Sequence, residues 1–296
     1  MILSQTTDVL FDTFGFEEGI RVAAEAGFDA LDLNLIAAMF TDDFSEENYA
    51  STAERLVKLA KENGLFFNQA HAPFPTYILG NDEYNARVLP AIRRAIRAAG
   101  LVGAKQIVVH PFETRSDPTI DQKQYNIDFY NALIPDIKAS GCKVALENMW
   151  GHPLTGDEAE RRKIIVPNVC SLGKDLAEYF DALDPEYFTV CLDIGHSGLV
   201  GEAAADAIYA LGGSRLHALH VHDNDNYHDS HTFPFMGAID WKSVMKALRG
   251  IGYDGDFTFE IGGALLNAYK KRPELQRTLF RLMAQTGREL IAMADA

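Results

Sequence analysis

The sequence predicts an α/β protein folded as a single closed (β/α)8 barrel, and three observations carry that prediction. An amphipathic run, a glycine and a short β-branched apolar run recur along the chain, eight such apolar runs can be counted, and no Pro- or Ser-rich linker divides them. The unit is legible in AEAGFDALDLNL, KENGLFFNQAH, AAGLVGAKQIVVHP, KASGCKVALEN and RGIGYDGDFTFEI. In each, glycine stands where a helix would end in a left-handed cap before a strand.

Taken in order, the strands are expected near residues 1–4, 30–35, 65–71, 105–110, 143–148, 188–193, 216–222 and 256–261. Met1 to Ser4 begins the series, TVCLD and LHALHVH supply its sixth and seventh members, and FTFEI closes it. Their continuous apolar character suits a parallel sheet covered on both sides. A closed barrel is favoured over an open doubly wound sheet because the first strand is not followed by the G-x-G-x-x-G phosphate turn. After Pro273, Leu275, Leu279, Leu282 and Met283 recur at the spacing of one buried helix face. Arg93, Arg94 and Arg97 on the third helix read as a solvated face.

The 296 residues are 47% hydrophobic and 23% charged, with 11 Pro and 23 Gly, which is the composition of a folded chain. One such barrel commonly fills about 250 residues. Lys and Arg total 27 against 42 Asp and Glu, a net charge of −15 that repels nucleic-acid phosphates and anionic membrane surfaces. No apolar run approaches the roughly 20 residues of a membrane span. The opening MILSQTTDVLFDTF lacks a basic segment followed by an apolar one, so a cytoplasmic location is expected. Cys142, Cys170 and Cys191 are odd in number without C-x-x-C spacing, which fits reduced thiols in a core.

In a barrel of this kind chemistry sits at the carboxyl ends of the strands. Six consecutive strands end there in an imidazole or carboxylate: His71 in QAHAPF, His110 in VVHP, Glu147 in ALENMW, Asp193 with His196 in CLDIGH, His220 and His222 in HVHDND, and Glu260 in FTFEIGG. A lone His or Glu at a strand end is more often a capped or solvent-facing group, so the joint pattern is what counts. A carboxylate preceded by Val144, Ala145 and Leu146 is desolvated and must be paired or bound to a cation. With few Lys or Arg in these motifs, the donors suit Mn, Zn, Mg, Co or Fe. Alternation along strand seven puts His220 and His222 on one face and His217 on the other. Asp229-Ser230-His231 follows over the same mouth.

These motifs resemble the xylose isomerase-like TIM-barrel superfamily, which holds sugar and sugar-phosphate isomerases and epimerases and the endonuclease IV type of abasic-site nuclease. The likeness spans nearly the whole chain through His71-Ala-Pro, His110-Pro, Glu147-Asn148, Asp193-x-x-His196, His220-x-x-Asp223, Asp229-x-His231, Gly237 before Ile239-Asp240-Trp241, and Phe259-Glu260. The epimerase branch implies one divalent ion held by Glu147, Asp193, His220 and Glu260. It also implies Glu147 and Glu260 on opposite sides of the substrate carbon as its acid and base, with proton transfer beside a carbonyl through a metal-stabilised enediolate. His196 would then contact a substrate oxygen, while His71, His110, Trp150 and Trp241 shape the pocket.

The nuclease branch adds His71, His110, His196, Asp229 and His231 to hold three zinc ions. A zinc phosphodiesterase therefore stands as the second reading, and a non-catalytic sugar-binding barrel as a third. The loops HAPFPTYILGNDEYN and HDNDNYHDSHTFPFMG contain no Lys or Arg, which weighs against DNA. HVHDNDNYHDSH likewise offers no arginine, so a substrate phosphate would need another anchor. The partner expected is a small-molecule sugar or sugar phosphate, with neither nucleic acid nor membrane. Frequent dimers and tetramers in this superfamily leave a homo-oligomer open.

Overall fold

The eight apolar runs form eight strands in the computed structural model, which describes residues 1–114, 117–262 and 264–295. They are β1 (Ile2–Thr6), β2 (Ala30–Asn34), β3 (Phe66–His71), β4 (Gln106–Val108), β5 (Lys143–Glu147), β6 (Phe188–Asp193), β7 (Leu216–Val221) and β8 (Asp256–Phe259). Each pairs in parallel with the next, and β8 closes onto β1 through Ile2↔Asp256 to Gln5↔Phe259. The strands end a little differently from the sequence expectation: β1 runs on to Thr6, while His110, His222 and Glu260 stand just past the ends of β4, β7 and β8. A short antiparallel pair, Trp150–Gly151 with Val166–Pro167, is inserted between β5 and β6.

Side-chain alternation divides each strand between two environments. Leu31, Leu33, Val144, Leu146, Val190, Leu192, Leu219, Val221, Phe257 and Phe259 belong to the main core between sheet and helices. Val108, Ala145, Cys191 and Ala218 form a separate small cluster, which alternation assigns to the barrel interior. Two residues further along the same inward rows lie His110, Glu147, Asp193 and His220. Thr258 stands in the same relation to Glu260 on β8. The inward residues on the other side of the barrel are polar: Ser4 Oγ and Thr258 Oγ1 are 2.7 Å apart, and Gln69 Nε2 donates to Asp32 Oδ2 at 2.8 Å. The three cysteines are free and buried, as their spacing suggests.

Helices cover the sheet and stop where the glycines stand. Gly27, at φ 100°, ends the helix Asp8–Ala26 and donates its N–H to the carbonyls of Ala23 and Ala24. That left-handed conformation is open to glycine and strained for a residue with Cβ.

Two helix expectations are corrected. The stripe on the helix Pro273–Asp295 is real but rotated by one residue: Leu275 and Leu282 are exposed, while Gln276, Phe280, Met283, Ala284 and Leu290 are buried. One residue is a turn of about 100°, and the intended phase placed Leu275 in the core when Gln276 takes that position. The arginines of the third helix are not simply solvated. Arg94 Nε donates to Phe44 O at 2.7 Å, Arg93 to Asp136 at 2.6 Å and Arg97 to Glu46 at 3.1 Å, so they tie that helix to its neighbours. No helix among the described residues is long and apolar enough to cross a membrane.

The corrected helix phase has a direct consequence. Phe280→Ala is expected to lower unfolding free energy by about 3–5 kcal/mol in urea titrations, whereas Leu275→Ala costs about 0.5 kcal/mol or less. Equal losses for the two would contradict it.

Candidate metal centre

Successive inward positions bring Glu147 (β5), Asp193 (β6), His220 (β7) and Glu260 (after β8) to the carboxyl rim side by side. Their ligand atoms all lie within 4.8 Å of one another. Two ligands facing each other across an ion at about 2.1 Å each would be roughly 4.2 Å apart, so small adjustments let all four share one cation. His220 Nδ1 is 2.7 Å from Glu147 Oε1 and 3.4 Å from Glu260 Oε2. Glu147, Asp193 and His220 are buried, and Glu260 is only 17% exposed.

The other histidines named from the sequence surround this set. His71 and His110 approach Glu147 Oε2 at 3.7 and 2.6 Å, with their two Nε2 atoms 3.0 Å apart. Phe74 lies edge-on to the His110 ring at 4.5 Å and forms an apolar wall. Across the mouth, Asp229 receives His231 Nε2 at 3.2 Å and His196 Nε2 at 3.5 Å. Trp150, carried by the inserted antiparallel pair, donates Nε1 to Asp229 Oδ2 at 3.2 Å. His217 points away at the opposite rim, against Thr189.

Histidine orientation is set by backbone carbonyls. Nδ1 of His71 meets Ala72 O at 2.8 Å, Nδ1 of His196 meets Asn148 O at 2.8 Å, and Nδ1 of His231 meets Glu260 O at 2.7 Å. A carbonyl only accepts, so each Nδ1 carries hydrogen and each neutral imidazole turns its Nε2 lone pair toward a carboxylate. That is the arrangement found around metal-ligating histidines. In the ion-free protein the neighbouring carboxylates raise the pKa of each of these imidazoles, against the effect of burial. Burial alone would lower the His231 pKa, but its hydrogen bond to Asp229 and the charges of Glu260 and Asp229 push it up to about 10. Burial also opposes ionisation of Glu147, yet His220 and His110 hold its carboxyl well below the usual range. His196 is raised in the same way as His231, against its burial, by Asp193 and Asp229.

Two residues that the sequence motifs contained without a role, His222 and Asn148, and one that was not singled out, Asp32, complete the surroundings. His222 packs Nε2 3.0 Å from Asp193 and stacks on His231 with ring centroids 3.8 Å apart. Its ring leaves no room for a side chain at Gly195, whose Cβ would sit 2.0 Å from His222 Cε1. Asn148 clamps Asp193 by donating Nδ2 to its carbonyl at 2.9 Å and accepting its N–H at 2.7 Å. Asp32 on β2 lies behind His220, and the period-two spacing of Asp32 and Asn34 in an apolar run is the signal that could have found it.

Trp241 is corrected: it does not shape the pocket. It is buried and donates Nε1 to Asp223 Oδ2 at 2.9 Å. Asp223 also accepts the N–H groups of Asn224, Phe235 and Ile239, so the Asp223–Trp241 pair anchors the loop that carries Asp229 and His231. In that loop His231 adopts φ 42°, a left-handed conformation that costs of order 1–3 kcal/mol and is held by the surrounding contacts.

A cavity of about 380 Å³ borders the site at Glu260, Asp229 and His231, and Asp8, Asp12 and Asn34 line its far side. Its described lining contains no Lys or Arg.

Fold and site together define a (β/α)8 barrel with carboxylates and imidazoles gathered at the carboxyl ends of its strands. The chain belongs to the xylose isomerase-like TIM-barrel family, whose model matches residues 20–285. An uncharacterized protein of Mycobacterium leprae (strain TN) is 23% identical over 264 residues, covering 86% of this chain and 87% of its own. Among solved structures, a D-tagatose 3-epimerase-like protein superposes with a TM-score of 0.70 at 20% identity over 100% of both chains. The IolI protein with a binding zinc atom gives 0.70 at 15% identity, over 99% of this chain and 98% of its own. These structural likenesses establish the shared fold.

The raised histidines fix the sign of a pH effect in the ion-free protein. A group raised from 6.5 to about 10 stabilises the fold fully below pH 6.5 and loses that contribution as pH rises through about 10. The melting temperature of chelator-treated protein should therefore fall between pH 6.5 and 10, by on the order of 5 °C, and less in His231→Asn. Identical curves for the two proteins would refute the assignment.

Proposed function

We propose that this protein is a divalent-metal-dependent sugar isomerase or epimerase that transfers a proton at a carbon beside a carbonyl. The observation that carries this reading is the convergence of Glu147, Asp193, His220 and Glu260, buried or nearly so, from four consecutive strands. Three carboxylates and one imidazole fit Mn, Zn, Mg, Co or Fe. The zinc atom of the IolI neighbour and the epimerase-like neighbour support the same reading.

A bound divalent ion supplies Lewis-acid polarisation of a substrate carbonyl. The rest falls to this chain's own side chains. Glu147, held ionised by its imidazole neighbours, accepts a proton from carbon, and Glu260 delivers or accepts one on the other side, which inverts the centre. His196 meets a substrate oxygen, while His71 and His110 brace Glu147 and Trp150 covers the mouth. The acidic border of the cavity, with Asp8 and Asp12 beside Asp229 and Glu260, favours an uncharged sugar over a sugar phosphate. In this reading the whole chain acts as one cytoplasmic domain on a small molecule, without nucleic acid or membrane.

One observation favours a second reading, the zinc phosphodiesterase. His71, His110 and Glu147 form a further ligand-capable group, and His196, His222, Asp229 and His231 form another. These are donors enough for more than one ion. The net charge of −15 and the lining without Lys or Arg weigh against a DNA substrate.

Glu147→Gln and Glu260→Gln are each expected to reduce solvent-deuterium exchange into a ketose substrate by about 10²- to 10⁴-fold while circular dichroism stays unchanged. Exchange retained in either variant would remove that residue as a base. Cleavage of an abasic duplex oligonucleotide by the zinc-loaded protein would overturn the isomerase reading in favour of the phosphodiesterase.

A further inference from the structure

His220 has two faces. Its Nδ1 looks toward the carboxylates of the proposed centre, 2.7 Å from Glu147 and 3.4 Å from Glu260. Its Nε2 looks the other way, toward β2, and makes no hydrogen bond. The group facing that nitrogen is Asp32, whose Oδ2 is 3.5 Å away. Among the described residues His220 is the ion-pair partner recorded for Asp32.

Asp32 is itself 1% exposed. Its Oδ2 accepts from Gln69 Nε2 at 2.8 Å, and its Oδ1 is buried without a hydrogen-bond partner. Asp32 and Gln69 are register partners on β2 and β3, so the backbone itself fixes the donor beside the carboxylate. Burying a carboxylate with one neutral donor and no Lys or Arg is costly, and packing gives no reason for it.

The chemistry of His220 gives the reason. A neutral imidazole carries one hydrogen, and for Nδ1 to offer its lone pair that hydrogen must sit on Nε2. A carboxylate facing Nε2 favours that tautomer and raises the basicity of Nδ1. The 3.5 Å separation is slightly beyond the roughly 2.9 Å of a formed N–H···O bond, within reach of a small ring rotation. We propose that Asp32, steadied by Gln69, is the positioning residue for His220: it holds hydrogen on Nε2, so that the Nδ1 hydrogen facing Glu147 is the one given up when a divalent cation binds, and so sets the affinity of the centre for that cation. The inference rests on the four-ligand reading of Glu147, Asp193, His220 and Glu260.

Zn²⁺ titration of the chelator-treated protein against a chromophoric competitor tests it, together with ¹⁵N spectra of the histidine side chains. Asp32→Asn is expected to bind Zn²⁺ about 10- to 100-fold more weakly and, in the Zn²⁺-loaded protein, to move the His220 Nε2–H proton resonance upfield as the hydrogen bond to the carboxylate is lost. Gln69→Leu leaves Asp32 in place and is expected to give a smaller loss in the same direction, which keeps the test open if Asp32→Asn does not fold. A merely structural role would lower thermal stability without moving the His220 Nε2–H resonance. Variants with wild-type affinity and an unchanged Nε2–H resonance overturn the role of Asp32 alone. A wild-type protein that takes up no Zn²⁺ overturns the four-ligand reading and this inference with it.

Discussion

Buried carboxylates need compensating charge, and that constraint organises the open rim of this barrel. Glu147 and Asp193 are removed from water, Asp229 and Glu260 nearly so, and no Lys or Arg pairs with them among the described residues. Leaving such groups uncompensated costs several kcal/mol each. Imidazoles supply the compensation, six of them within contact of these acids. The carbonyls of Ala72, Asn148 and Glu260 then decide which nitrogen of three of those rings faces inward. A set of acids and lone pairs aimed at common points, in place of lysines and arginines, is an arrangement suited to cations.

The barrel produces that arrangement with period-two alternation and small interior residues. Ala145, Cys191 and Ala218 fill the interior one layer down, and the inward residue two places later on each strand is Glu147, Asp193 or His220. Outward residues at the same level, Leu146, Leu192 and Val221, seal the sheet against the helices. The register sets Asp193 opposite His220 and Glu147 opposite Cys191, one inward step before Asp193, and the tilt of the strands in a closed barrel brings these donors, distant in sequence, to the same rim. The loop after β7 is held separately, by the buried Asp223 and Trp241, which lets His231 occupy a strained conformation beside Asp229.

The barrel and the rim residues were legible because both rest on short-range patterns. Glycine-marked helix ends and apolar runs give the strands, and a polar residue ending an apolar run marks the rim. What was not legible depends on partners distant in the chain. Leu275 and Leu282 fit a helical stripe as well as Phe280 does, and only the sheet decides which face is covered. Trp241 follows a loop near the site in sequence, and its orientation is fixed by Asp223, 18 residues earlier. Asp32 sits in DLNL, which reads as ordinary alternation until His220 from the far side of the barrel is placed against it.

The central claim is that Glu147, Asp193, His220 and Glu260 together hold one divalent cation. Anomalous diffraction at the zinc edge, from crystals grown with Zn²⁺, measures this most directly. The account predicts a peak about 2.1 Å from His220 Nδ1 and from an oxygen of each of the three carboxylates. A map with no peak among those four side chains would contradict it.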